Sequence, residues 1–176
     1  MIFSETELKG AFILEIKKLQ DERGFFARSF CQNEFREHGL EPVIAQGNIS
    51  YNRLKGTLRG MHYQTDPSPG SKIVRCVHGA IYDVIIDLRA GSPTCKRWFG
   101  VELSASNCHM LYVPAYFAHG FITLENDTEV NYLESQFYDP KTERGVRYND
   151  PTFGIVWPGK VEVISEKDRH WPDYVG

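Results

Sequence analysis

Turn-forming residues recur at short, even intervals through this chain: Gly91-Ser92-Pro93, Ser104 to Asn107, Pro114, Glu125-Asn126-Asp127 and Asp139-Pro140. The segments between them (RWFGVEL, HMLYVP, HGFITL, EVNYLESQFY) have the length of strands and not of helices. Spacing of this kind builds an antiparallel sandwich or barrel, and it predicts a low helix content.

The first half fits the same pattern. Ala11 to Ile16 is a compact apolar run of strand length, and Cys31 to His38 carries the one good helix signal, with Asn33 placed to cap it and Gly39 to end it. From Val43 the chain reads as VIAQGNIS, then TLRGMHYQ, the loop TDPSPGS, and KIVRCV. His78-Gly79 is a hairpin signal joining KIVRCV to AIYDVIIDLR. In that second strand Tyr82, Val84, Ile86 and Leu88 share one face, and Ile81, Asp83, Ile85 and Asp87 share the other. Two aspartates on an otherwise apolar face predict that this face meets polar groups. The tail from Tyr148 to Gly176, with Pro151, Pro158 and Pro172, is irregular apart from a short helix around Glu166-Lys167-Asp168.

With 176 residues and no repeat, linker or low-complexity segment, residues 1–176 read as one domain. A net charge of −3 with scattered basic residues gives no footprint for nucleic acid, so any anion site is local. Cys31, Cys76, Cys95 and Cys108 form no C-x-x-C pair and no zinc spacing, and read as reduced thiols. The N-terminal stretch MIFSETELKG lacks the apolar core of a signal peptide, and no run approaches the ~18 apolar residues of a membrane span. The expected location is the cytoplasm, with no membrane partner.

Chemistry concentrates in KGTLRGMHYQ. Arg59 and His62 stand three apart, which in a regular strand puts them on opposite faces. Gly60 between them can supply a bulge that turns both into one cavity. A guanidinium fork would then stand beside a group that titrates near neutral pH. VPAYFAHGF holds a second histidine, His119, in a pattern similar to the second half-motif of cupin barrels. A metal-binding cupin needs H-x-H in its first motif, whereas the residue two after His62 is Gln64, so no metal is expected. Without a metal, His62 can serve as a general base, Tyr132 as a proton donor and Lys72 as the cation for a developing oxyanion. The aspartate of SEKD, Asp168, can fix the tautomer of such a histidine.

Taken together, DERGFFARSF, QGNIS, KGTLRGMHYQ, SKIVRCVHGAIYDVIIDLRAGSPT, LSASN, VPAYFAHGF, YNDP and SEKD occur in an order and spacing that resembles the dTDP-4-dehydrorhamnose 3,5-epimerase family along nearly the whole chain. The resemblance implies an all-β, cupin-type jelly-roll β-barrel with a few short helices. It further implies a homodimer whose site is shared between subunits, no cofactor, and a nucleoside-diphospho-4-keto-6-deoxyhexose as substrate. It assigns His62 as base with Asp168 as its partner, Tyr132 as acid on the other face, and Lys72 beside the 4-keto oxygen. Substrate contacts implied by the matching motifs are Arg23, Phe26, Gln46, Asn48, Arg59, His119, Glu143 and Lys167, with Tyr138 stacking on the nucleotide base; Arg28 is added to them as a contact to that base on the grounds of its own chemistry.

The chain departs from the family pattern in three places. Arg28 stands where relatives carry glutamate, the loop between Ser50 and Gly56 is one residue longer, and Leu133 replaces a common lysine. A guanidinium at Arg28 suits the acceptors of cytosine better than the N3–H of thymine, so a CDP-linked sugar is a second expectation beside a dTDP-linked one. Inversion at C3 alone and a silent sugar-nucleotide binding cupin are the competing functional readings.

Overall fold

The computed structural model describes residues 1–175; Gly176, the end of the irregular tail, lies outside the described residues. The strands, in chain order, are β1 (Ile2–Glu5), β2 (Phe12–Glu15), β3 (Leu19–Asp21), β4 (Gly24–Phe26), β5 (Gln46–Asn52), β6 (Thr57–Gln64), β7 (Lys72–His78), β8 (Ala80–Asp87), β9 (Trp98–Ser104), β10 (Met110–Val113), β11 (Phe117–Thr123), β12 (Thr128–Glu134), β13 (Glu143–Gly145) and β14 (Val163–Ile164). The helices are α1 (Gln32–Glu37) and α2 (Glu166–Arg169).

One sheet runs β1-β2-β10-β7-β12-β5, the other β13-β6-β11-β8-β9, with β14 parallel to β6. Their inner faces meet in a core where Val74, Cys76, Leu111 and Val130 of the first sheet oppose Ile81, Ile85, Leu103 and Phe121 of the second. This is the antiparallel two-sheet arrangement expected from the turn spacing, and it is consistent with the jelly roll that the family resemblance implies. The ladders of the two sheets stay separate.

Strand β8 shows why the alternation in the sequence was informative. Ile81 and Ile85 face the inner core, while Val84 and Ile86 face outward into a second cluster with Met61, Ala118, Val146 and Phe153. That outer face is covered by the tail, whose Ile155, Trp157 and Tyr174 pack against it. The outer face of the first sheet is covered at one end by Phe35 of α1 and by Leu40, against Leu14, Ile73 and Met110. Beyond α1 a groove of about 280 Å³ stays open over β5, β7 and β12, with Ile49 71% exposed on it.

Some expectations need correction. The chain makes no hairpin at His78-Gly79, because β7 lies in the first sheet and β8 in the second. Gly79, at φ +75, carries the crossing, and a Cβ there would stand 2.5 Å from Thr128 Oγ1. The sequence pattern marks a tight reversal but cannot say whether the two strands pair. Asn33 lies inside α1 and does not cap it; Cys31 is the N-cap residue and offers no side-chain bond, while Gly39 follows the C-cap at φ +70 as expected. Strand β5 starts at Gln46 and not at Val43, and β1, β3, β4, β13 and β14 are short strands that periodicity over so few residues does not reveal.

Both aspartates of β8 meet polar groups of the protein itself. Asp87 is fully buried and accepts from Arg89 Nε at 2.9 Å, Ser92 Oγ at 2.5 Å and Thr94 Oγ1 at 2.7 Å. Burial pushes its carboxyl up, but these donors outweigh burial and hold the pKa at about 2. A folded-state pKa below the unfolded value contributes stability above about pH 4 that is lost as pH falls toward 2. Asp87→Asn should therefore cost roughly 2 kcal/mol at pH 7 in denaturant unfolding, with a gap to wild type that narrows on acidification. A gap independent of pH would show that the charge is not what matters.

Candidate active site

The cavity, of about 740 Å³, opens between the sheets, with β6 and β11 on one wall and β5, β7 and β12 on the other. Its shape starts from two glycines. A Cβ on Gly60, which sits at φ +119, would stand 2.6 Å from Gly120 Cα; one on Gly120 would stand 2.6 Å from Arg59 O. Backbones this close admit no side chain at either position. The pairing of β6 with β11 shifts register at this point, between His119 and Phe121. The irregularity lets Arg59 and His62 both line the cavity while Met61 between them is buried in the outer cluster.

His62 Nε2 lies 2.5 Å from Asp168 Oδ1. Asp168 Oδ2 accepts the amide of Gly60 at 3.2 Å, so the same carboxylate holds the bulge and the imidazole. Its own position is fixed by Ser165, the N-cap of α2, which accepts the Asp168 amide at 3.0 Å. Burial pushes the Asp168 carboxyl up, but the bonds from His62, Gly60 and Ser165 outweigh this and leave it below the usual carboxylate range. With the carboxylate accepting at Nε2, the network assigns the neutral imidazole its proton there and its lone pair to Nδ1. The His62 side chain keeps 31% of its exposure, enough to be reached from the cavity.

The facing wall supplies the remaining charges. Tyr132 on β12 is half-buried, and burial, then the charge of Glu134, push its phenol above the ordinary range against the opposing pull of Arg59. It is an acid that stays protonated at neutral pH. Lys72, at the start of β7, lies 3.5 Å from Glu134 Oε1. Glu134 was not singled out from the sequence, although period-two alternation from Tyr132 points it into the same cavity. The same alternation turns Leu133 to the outer face, where it packs with the α1 cluster, so that departure from the family pattern lies outside the site.

Polar anchors sit behind these groups. His119 Nε2 is 2.8 Å from the buried Asp83 Oδ1, which accounts for the other aspartate of β8. Arg59, which lines the cavity, donates from Nε to Asn52 Oδ1 at 2.7 Å and from Nη2 to Tyr51 O at 3.4 Å. Glu143 accepts from Tyr138 Oη at 2.7 Å and from Lys167 Nζ at 2.6 Å. Burial raises the Glu143 carboxyl, yet Lys167 and Tyr138 bring it below its ordinary value. Gln46 and Asn48 line the wall from β5, and Gln46 Oε1 accepts the Tyr138 amide at 2.9 Å.

Gln64, read in the sequence only as a poor metal ligand, is a clamp. Its amide nitrogen donates to Ser68 O at 2.9 Å and Phe137 O at 3.3 Å, and its oxygen accepts the Asp139 amide at 2.8 Å. The bonds to Phe137 and Asp139 fasten the loop that presents Tyr138. Among the described residues, no cluster of three or more His, Cys, Asp or Glu side chains is arranged to hold a metal ion.

All the site residues expected from the sequence line this cavity except Arg23, Phe26 and Arg28. The β3–β4 hairpin holds Arg23 and Phe26 at the surface, with Arg23 bonded to Asp21 and Phe26 74% exposed. Arg28 Nη1 donates to Glu34 Oε1 at 2.8 Å, which takes its guanidinium to α1 and away from any base in this chain's own cavity.

Residues 5–175 match the family model described as dTDP-4-dehydrorhamnose 3,5-epimerase. A protein of that name from Methanothermobacter thermautotrophicus is 42% identical over 172 residues, covering 96% of this chain and 92% of its own. The crystal structure of a dTDP-4-dehydrorhamnose 3,5-epimerase from Bacillus anthracis with TDP and PPi bound superposes with a TM-score of 0.94 at 40% identity, covering 98% of this chain and 99% of that one. A 3'-monoepimerase from Streptomyces bikiniensis in complex with dTDP-quinovose gives a TM-score of 0.89 at 34% identity, covering 97% and 86%.

The clamp generates a direct expectation. Gln64→Leu removes two bonds to that loop, and a third to Ser68, at little change in volume, so the Asp139 amide should exchange its hydrogen at least roughly fivefold faster. Exchange at the wild-type rate would show that the loop is fastened elsewhere.

Proposed function

The chain belongs to the dTDP-4-dehydrorhamnose 3,5-epimerase family, and on that premise we propose that it inverts C3, C5 or both of a dTDP-linked 4-keto-6-deoxyhexose without metal or other cofactor. One observation carries the reading: a histidine held by a carboxylate, His62 with Asp168, lines one wall of the cavity, while a phenol, Tyr132, lines the facing one.

The chemistry follows from the ketone. Its carbonyl acidifies the C–H bonds at C3 and C5, because loss of either proton leaves an enolate on the same oxygen. His62 Nδ1 takes the proton from one face, and the electron pair of the C–H bond moves to O4. Lys72 stabilises the oxyanion that forms. Asp168 stabilises the imidazolium, which is the role of a carboxylate behind a catalytic histidine. Tyr132 then delivers a proton to the opposite face of the carbon, which inverts it. The tyrosinate and imidazolium reset by exchange with solvent. The reaction is an isomerisation, and no electrons enter or leave.

Binding is assigned by the same logic. Arg59 offers a planar fork to the diphosphate, Tyr138 a ring to the base, and Gln46, Asn48, His119, Glu143 and Lys167 the polar contacts between. Arg23 and Phe26 are assigned to a second copy of the chain, so that the working form is a homodimer. The exposed Leu19, Phe26 and Ile49, together with the open groove and the unpaired edge of β5, support this reading, since apolar side chains grouped on a surface mark an interaction site. The preference for cytosine rested on Arg28, whose bond to Glu34 argues against it, and the relatives' names favour dTDP. The chain is read as one domain, working in the cytoplasm in deoxysugar synthesis for cell-surface polysaccharide.

Incubation with dTDP-4-keto-6-deoxyglucose in D2O tests the proposal, with deuterium at C3 and C5 counted by NMR. His62→Ala should slow incorporation at every carbon by about 10²–10⁴-fold. Incorporation at the wild-type rate would remove His62 as the base. Tyr132→Phe should depress inversion more than exchange, because His62 still removes and returns the original proton. Equal inversion in wild type and variant would remove Tyr132 as the acid. Calorimetry should rank dTDP above CDP; the reverse order would reinstate the reading of Arg28 as a cytosine contact.

A further inference from the structure

Behind the His62–Asp168 pair lies an indole that the proton chemistry leaves without a role. Trp171 Nε1 donates to Asp168 Oδ1 at 3.3 Å, the same oxygen that meets His62 at 2.5 Å. The indole meets the imidazole edge to face, with centroids 6.2 Å apart and planes at 69°. Lys167 Nζ stands over the indole, 5.5 Å from the ring centre. Beneath it is Gly145 of β13, the residue paired with His62 across the ladder. A Cβ on Gly145 would lie 2.2 Å from Trp171 Cε2. Gly145 is not among the glycines with positive φ, so what it provides is space for the indole and not backbone freedom. Trp171 itself does not line the cavity.

We propose that Trp171 is a positioning residue for the catalytic pair, seated on Gly145 so that its N–H and ring edge fix the Asp168 carboxylate and the His62 imidazole together. A carboxylate held by one donor turns freely about its last bond. Asp168 is held by the Gly60 amide, the imidazole and the indole, and these define its plane. The indole, edge to face with the imidazole, limits how far that ring can turn toward it. Looser supports spread the distance over which the proton moves, and that lowers the rate of transfer more than the affinity for substrate. The role rests on His62 being the base.

The variants Trp171→Phe, Trp171→Ala and Gly145→Ala, and the last two combined, test this. Trp171→Phe keeps a ring and loses the N–H, and should lower kcat about 3- to 10-fold with KM nearly unchanged. Trp171→Ala should lower it roughly 10- to 100-fold. Gly145→Ala should resemble Trp171→Ala, because the new methyl evicts the indole. The combined variant should be no worse than Trp171→Ala alone, since the two residues act as one unit. With one donor fewer, Asp168 directs more of its charge at the imidazole, so the acid limb of kcat/KM should move to higher pH in Trp171→Phe. The other groups facing His62, namely Lys167, Glu143, His119 and Arg59, are unchanged in that variant.

A readout without substrate stands beside these. A protonated imidazole quenches a neighbouring indole, so tryptophan fluorescence of the wild-type protein should fall as His62 is protonated. That step should vanish in both Trp171→Phe and His62→Ala. Wild-type kcat and pH profile in Trp171→Ala, additive losses in the combined variant, or a fluorescence step unaffected by either replacement would each overturn the proposal. If no variant and no wild-type protein epimerises a sugar, the functional reading fails, and the fluorescence titration still decides whether Trp171 senses the pair.

Discussion

The close approach of β6 to β11 is the constraint on which the site depends. Gly60 and Gly120 face each other at a distance that excludes a Cβ on either. Substituting either would force the strands apart, and the consequences would not be local. The amide of Gly60 is one of the donors to Asp168, so a displaced strand carries off His62, the arginine three residues before it and the support of the carboxylate at once. The irregularity in the ladder is a built feature: it converts two residues of opposite parity into neighbours in one cavity.

A second pattern runs through the cavity. Four of the cationic or titrating groups that the reading assigns to substrate lean on a carboxylate: His62 on Asp168, His119 on Asp83, Lys167 on Glu143 and Lys72 on Glu134. Paired charges keep the empty cavity from accumulating repulsion among its own cations and hold long side chains in fixed directions before substrate arrives. Lys72 and Glu134, at 3.5 Å, make the loosest of these pairs, which leaves the ammonium free to turn toward a developing oxyanion.

Much of this was legible in the chain. Turn spacing indicated the two-sheet architecture, and alternation in β8 separated the inner core from the outer face correctly. The R-x-x-H stretch with its glycine indicated a bulge, and the SEKD aspartate indicated a partner for the histidine. What the sequence could not show was which strands pair. His78-Gly79 has the chemistry of a hairpin and serves instead as a crossing between sheets, a distinction decided by contacts far away in the chain. Residues that act through backbone, such as Gln64 holding Phe137 and Asp139, were equally hidden, because an amide that ties down a loop has no periodicity of its own. Arg23, Phe26 and Arg28 show another limit. A family motif names residues that belong together in a working site, but it does not say that one copy of the chain assembles them.

The tail that covers the outer face of the second sheet also brings Asp168, 106 residues after His62. A ribosome delivers chain from the N-terminus at about 5–20 residues per second. His62 is therefore in the open for several seconds, and every long strand of both sheets has been made, before its carboxylate leaves the exit tunnel. Until then a nascent chain can form sheets, but His62 has no carboxylate to orient it. The carboxylate that orients the imidazole thus arrives after the strands it serves, together with the layer that seals the second sheet from water.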